Sequence, residues 1–112
     1  GDEIAVVEML KLLIEKHPEA IHHATNLGCL PIHLASQNKN VTVNIIQLLM
    51  DAAPDSVSSL DEDGDMPLHD LCRNEGLDER AAMDILKLLI KKHPEAIRHA
   101  DNDGDLPIHL AL

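Results

Sequence analysis

The residues of this 112-residue chain that could do chemistry are eight histidines, two cysteines and a surplus of carboxylates. Histidine is the commonest ligand for zinc and related metals. His33, His69 and His109, however, recur once in each of three similar segments, and ligands spaced one repeat apart cannot meet at one ion. We therefore predict that these histidines bind backbone groups of the neighbouring segment and that the chain holds no metal.

Two acidic segments, DEDGDMPLHDLC at 61–72 and DNDGDLPIHLAL at 101–112, place carboxylates at their first, third and fifth positions, as a calcium-binding loop does. Such a loop has glycine at its sixth position and a bidentate glutamate at its twelfth. Here the glycine is fourth, and the twelfth residue is Cys72 or Leu112. We interpret both segments as solvent-exposed turns.

Cys72 follows His69 by three residues, so a nucleophile and a base could share one face of a helix. No third group that would orient the histidine, and no oxyanion donor, can be assigned from the sequence. The glycine motifs of phosphate-binding loops are also missing. We expect a buried structural cysteine, no enzymatic activity and no cofactor.

Charge and composition limit the classes of partner. Twenty Asp and Glu residues against nine Lys and Arg give a net charge of −11, which repels nucleic acid, and there are no aromatic rings to stack on bases. The two cysteines form neither a disulfide framework nor a metal-type spacing, so we expect an intracellular, cytoplasmic setting. The sequence predicts neither a transmembrane helix nor a signal peptide.

A repeat organises the chain. Residues 11–35 and 87–111 are identical at 20 of 25 positions, and residues 47–71 are a more diverged copy. In every copy two prolines stand 13 positions apart. We read 1–112 as a single domain and expect it to be a fragment of a longer array. Its three units span approximately 3–38, 41–76 and 81–112.

Each unit begins with a long helix, because its polar residues recur at spacings of three and four and leave the rest of the surface apolar. The first proline of the unit ends this helix. An arm with an Asx and glycine turn follows (TNLG, DEDG or DNDG), and the second proline begins a shorter helix. The segment RNEGLDERAA at 73–82 contains an insertion, which we expect to form a surface loop.

The segments DEDGDMPLH and DNDGDLPIHLA resemble the ankyrin-repeat signature, in which an Asp, a turn Gly and a Thr-Pro-Leu-His-x-Ala helix start precede a leucine-rich second helix. The resemblance covers essentially the whole chain. It implies an all-α fold, an ankyrin-like helical solenoid of stacked helix-turn-helix repeats, used as a protein-protein interaction scaffold without catalytic activity.

The chain departs from the family pattern in two ways. Its repeated histidines are 36 and 40 residues apart, against a period of about 33 in the family. The threonine that caps the proline-initiated helix in the family is replaced by leucine or methionine, a loss of about 1 kcal/mol per cap. We expect Asp65 and Asp105 to compensate in part through the helix dipole.

If the geometry of the family holds, the turn tips and the proline-initiated helices line a concave face. Nine side chains are predicted to project onto it: Leu27, Cys29, Leu34, Asp63, Asp65, Asp70, Asp103, Asp105 and Leu110. The acidic part of this face predicts a partner protein with Lys and Arg side chains around an apolar anchor. Two alternatives stay open: the acidic surface only maintains solubility, or the chain is a structural subunit of a larger assembly, held through its uncapped apolar ends.

Overall fold

The computed structural model describes residues 3–112, which are helical throughout apart from turns and arms and contain no strand. The six α-helices of these residues are α1 (Glu3–Lys16), α2 (Pro31–Gln37), α3 (Val43–Ala52), α4 (Pro67–Arg73), α5 (Glu79–Lys92) and α6 (Pro107–Ala111). Three short 3-10 helices span Pro18–His22, Pro54–Ser58 and Pro94–Arg98. In this part of the chain no helix has the length and apolar character needed to cross a bilayer.

The helices pack as two rows. The long helices α1, α3 and α5 lie side by side in that order, and the short helices α2, α4 and α6 form the second row. Each of α2 and α4 also packs against the long helix that follows it. The core fills the space between the rows, where Ile46, Leu68, Ile85 and Leu89 are at most 1% exposed. Aliphatic side chains and methionine supply the apolar part of this core, without Phe, Trp or Tyr.

The predicted helix boundaries are confirmed in most places. Helix α1 ends before Pro18, and the prolines at 31, 67 and 107 begin α2, α4 and α6. The first proline of each unit also begins a 3-10 helix, which the sequence did not predict. Proline is suited to a first helical position because its fixed φ is already helical and its missing amide hydrogen has no acceptor there.

The loop predicted for residues 73–82 is shorter than expected. Helix α4 continues to Arg73 and α5 begins at Glu79. Asp78 causes this early start, because its carboxylate accepts a hydrogen bond from the amide of Ala81 at 3.1 Å and caps the helix. Of the residues predicted to form this loop, only 74–78 lie outside helices.

The arms share one turn geometry. Asp61 Oδ1 accepts hydrogen bonds from the amides of Asp63 and Asp65 at 2.9 and 3.0 Å. The side-chain oxygens of Thr25 and Asp101 bind the amides two and four residues ahead in the same way, at 2.9 to 3.3 Å. The first unit therefore keeps the turn although it lacks the aspartate.

Successive turns are also joined to each other. The amide of Glu62 donates to the carbonyl of Leu27 at 3.0 Å, and the amide of Asn102 donates to the carbonyl of Asp63 at 2.9 Å. These bonds hold the three turn tips in one line. Any carboxylate on a turn is thus fixed relative to the unit before it.

We expect Gly28→Ala to destabilise the chain more than Gly104→Ala. Both glycines have positive φ, 79° and 83°, so either alanine costs about 1 kcal/mol in backbone strain. A Cβ at Gly28 would also lie 2.9 Å from the amide nitrogen of Glu62, whereas at Gly104 no atom outside its own chain neighbours lies within 4 Å among the described residues. Urea unfolding followed by far-UV circular dichroism should give a further loss of about 1 kcal/mol or more for Gly28→Ala. Equal losses would contradict the close stacking of the first two turns.

Candidate binding site

His33 connects its own helix to the arm of the next unit. Its Nδ1 accepts a hydrogen bond from the amide of Leu30 at 3.0 Å. Its Nε2 lies 3.0 Å from the carbonyl oxygen of Ser59 and 3.1 Å from that of Asp65. Because an amide only donates and a carbonyl only accepts, the ring is neutral with its proton on Nε2. The ring is fully buried, so it joins two units from within the core.

His69 repeats the pattern one unit later. Its Nδ1 accepts from the amide of Met66 at 3.0 Å, and its Nε2 lies 2.8 Å from the carbonyl oxygen of His99. The prediction that the repeated histidines bind neighbouring backbone is therefore confirmed at both positions. In the third unit His109 Nδ1 accepts from the amide of Leu106 at 2.9 Å. In each short helix the histidine side chain accepts from the amide at the helix start, and the helix-dipole contribution of Asp65 and Asp105 stays a prediction.

Arg73, at the end of α4, binds carboxylates of two units. Its Nη1 lies 2.7 Å from Asp65 Oδ2, and its Nη2 lies 3.2 Å from Asp65 Oδ1 and 3.0 Å from Asp101 Oδ2. Asp70 Oδ1 is 3.6 Å from Nη1. The three carboxylate side chains are at most 4% exposed, whereas that of Arg73 is 40% exposed. The Arg73 guanidinium thus offsets the negative charge of three buried carboxylates while part of it stays in contact with solvent.

The pKa values of this group follow from burial and pairing. Hydrogen bonding with Asp65 raises the pKa of Arg73. Burial raises the pKa of Asp65, and its two hydrogen bonds with Arg73 offset the rise only in part. Burial also acts on Asp101, but the backbone amide of Asp105 and further donors outweigh it and lower the pKa of Asp101.

Asp70 is the least compensated of these carboxylates. Burial raises its pKa to about 7, and the charges of Asp61 and Asp65 add to the rise, whereas Gln37 and Arg73 oppose it. Its Oδ2 atom is buried and has no hydrogen-bond partner within residues 3–112. A buried carboxylate without a partner is costly to ionise, so near neutral pH Asp70 changes readily between its two protonation states.

A pocket of about 330 Å³ opens beside this group, and we call it the acidic pocket. Five of its lining residues belong to the set predicted from the sequence: Leu27, Cys29, Asp63, Asp65 and Asp70. The other four were missed: Gln37, Asp61, Arg73 and Asn74. The signal for Arg73 was present, because it is the one Lys or Arg between positions 40 and 79, where a surplus of carboxylates requires a cation.

Some of the nine side chains predicted to project onto the concave face are buried instead. Leu27, Leu34, Asp63 and Asp103 are exposed, and Asp105 and Leu110 are half-buried. Cys29, Asp65 and Asp70 are buried rather than projecting. Asp65 is held inward by Arg73, and the other two lie between the first and second units. Leu34 lines a separate cavity of about 940 Å³ beside α1 and α3, and the three residues of the third unit line neither pocket.

Three sets of side chains bring potential metal ligands within 4.8 Å of one another: His33 with Asp61 and Asp70, the carboxylates at 61, 63 and 65, and those at 101, 103 and 105. The ligand atoms already have other partners in most cases. Both ring nitrogens of His33 bind backbone, and one oxygen of Asp61 binds two turn amides. His33 therefore cannot serve as a ligand unless it gives up a backbone bond, whereas Asp61 Oδ2 and Asp70 Oδ2 hold no turn amide.

The two cysteines are free thiols, and burial raises the pKa of both. Both ring nitrogens of His69 are occupied by backbone groups, so this histidine is not available as a base for Cys72.

The chain matches no protein-family model and none of the curated proteins with which it was compared. The geometry of its residues therefore carries the inference of function.

Arg73→Ala should destabilise the chain strongly, because it leaves Asp65 and Asp101 buried without their cation. Removing one partner of a buried pair costs about 3 to 5 kcal/mol, and the 40% exposure of Arg73 reduces our expectation to about 2 to 4 kcal/mol. The matched control is Arg98→Ala, which removes an exposed pair with Glu95 at 4.0 Å and should change stability by less than about 0.5 kcal/mol. Urea unfolding tests both, and similar small losses would contradict the assigned role of Arg73.

Asp70→Asn should stabilise the chain at pH 8 and do so progressively less as the pH is lowered to 5. The folded-state pKa of Asp70 is about 7, above its ordinary value of 3.8. The folded chain therefore binds more protons than the unfolded chain between these values, and wild-type stability falls as pH rises through this range. The substitution removes that loss, on the order of 2 to 4 kcal/mol at pH 8.

The control for this variant is Asp84→Asn, an exposed carboxylate on α5. It should leave stability within about 0.5 kcal/mol of wild type. The test is to measure the free energy of unfolding of wild type and both variants between pH 5 and pH 8. A gain from Asp70→Asn that does not depend on pH would refute the assignment of a buried, weakly compensated carboxylate.

Proposed function

We propose that the chain is an ankyrin-like array of three units that binds another protein and catalyses no reaction. The observation that carries this proposal is the acidic pocket, which four carboxylates and one guanidinium line beside the aligned turn tips: Asp61, Asp63, Asp65, Asp70 and Arg73. Such a surface has a local excess of negative charge. A protein that offers Lys and Arg side chains complements it.

Several features of the fold support the ankyrin-like assignment. The helices lie in two rows, and each unit sends an arm with a glycine turn to its neighbour. Histidines at the third position of the short helices bind the next arm. A stack held by backbone hydrogen bonds presents its surface without further ordering, so binding costs little conformational entropy.

The turn tips offer the most accessible charges. Asp63 and Asp103 are exposed on adjacent turns, and their backbone groups, rather than their carboxylates, form the turn. At the first unit Leu27 and Leu34 are 61% and 46% exposed, which suits the apolar anchor. A partner would be guided by charge and fixed by apolar contact.

The double variant Asp63→Lys, Asp103→Lys should lose the partner while the chain remains folded. The control is Glu8→Lys, Asp84→Lys, which makes the same change in net charge on the exposed sides of α1 and α5. Each tagged chain is used to capture proteins from an extract of its source, with washes at low and high salt. We expect the turn variant to lose a partner that wild type and control retain, and high salt to release it from both. If the turn variant and the control retained the partner equally, the proposal that the partner binds the acidic turn tips would be overturned.

A second candidate function rests on α1. None of the described residues of this helix is buried, although it is mostly apolar, and Met9, Leu12 and Leu13 are 54 to 63% exposed. An apolar helix face of this kind suits a structural subunit packed within a larger assembly. A partner that the turn variant still binds and that resists high salt would support this function instead.

A further inference from the structure

One carboxylate oxygen of the acidic pocket is not used by the fold. Asp70 is 4% exposed, lines the pocket, and its Oδ2 has no partner within the described residues. The repeat does not require an acid at this position, since Leu34 and Leu110 follow the corresponding histidines of the other two units. The fold thus accommodates leucine where the second unit has a buried acid, and the acid points to a ligand.

A second acceptor lies close by. A carboxylate oxygen of Asp61 is within 4.8 Å of one of Asp70. Its Oδ1 accepts from the turn amides, while its Oδ2 accepts from the weakly polar thiol of Cys29 at 4.0 Å. A single donor nitrogen can reach two oxygens at this separation, because each charged N–H···O bond spans about 2.8 Å. The two carboxylates therefore offer one cation two acceptor oxygens that lie within 4.8 Å of each other.

We propose that the acidic pocket binds the ammonium group of a lysine side chain of the partner protein, with Asp70 and Asp61 as its acceptors. This inference rests on the proposed function and names the group that the partner contributes. Ammonium fits better than guanidinium, because two acceptor oxygens within 4.8 Å of each other can both be reached by one compact donor with several N–H directions. Arg73 already occupies the planar, bidentate position on Asp65.

The rim of the pocket suits the rest of a lysine side chain. Leu27 lines the pocket and is 61% exposed, so it can cover the four methylene groups that lead to the ammonium. Asp63 at the rim is exposed and adds negative charge along the same path. A volume of about 330 Å³ accommodates one such side chain.

Binding should depend on pH in one direction. The ionisable groups near Asp70 are Asp61 and Asp65 on the preceding arm, Arg73 on its own helix, and Cys29 and His33 from the first unit. Asp70 has a pKa of about 7, and its carboxyl group attracts an ammonium group only after it has lost its proton. Lysine stays charged throughout this range, so affinity should rise about tenfold from pH 6 to pH 8 as Asp70 loses its proton.

The probe for the test is Nα-acetyl-lysine methylamide, added to the 112-residue chain at millimolar concentration. Its norleucine counterpart has a similar stem without the ammonium, and its arginine counterpart has a guanidinium. Chemical shifts of backbone amides and Asp carboxyl carbons report binding. We expect the lysine probe to shift Asp61 and Asp70, to bind at least tenfold more weakly to Asp70→Asn, and to lose its pH dependence there. Asp84→Asn should bind like wild type.

Three results would overturn the proposal: equal binding to wild type and Asp70→Asn, norleucine binding as well as lysine, or arginine binding more tightly with the same dependence on Asp70. Shifts of Asp61 and Asp70 by calcium or magnesium at lower concentration than the lysine probe would replace it with a metal site. Asp70→Leu, which introduces the residue found in the other units, repeats the comparison if Asp70→Asn fails to fold.

The same variants separate this inference from the proposed function. The double variant Asp63→Lys, Asp103→Lys could lose a partner that Asp70→Asn binds normally. This result would support binding at the acidic turn tips and refute the lysine pocket. A partner indifferent to all three substitutions would refute both. Loss of the partner in Asp70→Asn, together with weaker binding of the lysine probe, supports the pocket.

Discussion

The hydrogen bonds of two buried histidines constrain the rest of the structure. Each ring must accept from the amide at the start of its own helix and donate to a carbonyl of the next arm, so its position is determined by two units at once. The rings of His33 and His69 therefore set both the start of a short helix and the place of the following arm. This double use, together with the backbone hydrogen bonds between successive turns, sets how the turns stack and how close their carboxylates lie.

That stacking brings like charges together. The turn aspartates are needed for their own turns, where Asp61 and Asp101 each bind two amides. Stacked turns place these acids near the acids of the adjoining helix, and repulsion must be offset. Arg73 offsets it from the solvent side, which lets the guanidinium keep part of its hydration while the carboxylates lose theirs. One cation serves two units, and the surplus of negative charge remains at the acidic pocket.

The sequence predicts the parts of this arrangement that depend on local chemistry. The starts of α2, α4 and α6 follow from proline, and the turns from Asx and glycine, because both act within a few residues. The burial of Asp65 could not be predicted in this way. It depends on Arg73, eight residues later, and on Asp101 from another unit, and only the packed helices decide which acids meet which base. An aspartate beside a turn was therefore expected at the surface and is found inside.

Asp70 shows how a repeat can acquire a specific site. At this position leucine satisfies the fold in two units, so the acid in the second unit adds a buried group that holds a proton near neutral pH. A ligand that enters the pocket must compete with that proton, and a neutral side chain gains nothing from displacing it. If the pocket binds lysine as proposed, it should favour a positively charged group over a neutral group of similar size. Selectivity of this kind requires the acid to be buried, because a solvated carboxylate would accept either form with little difference.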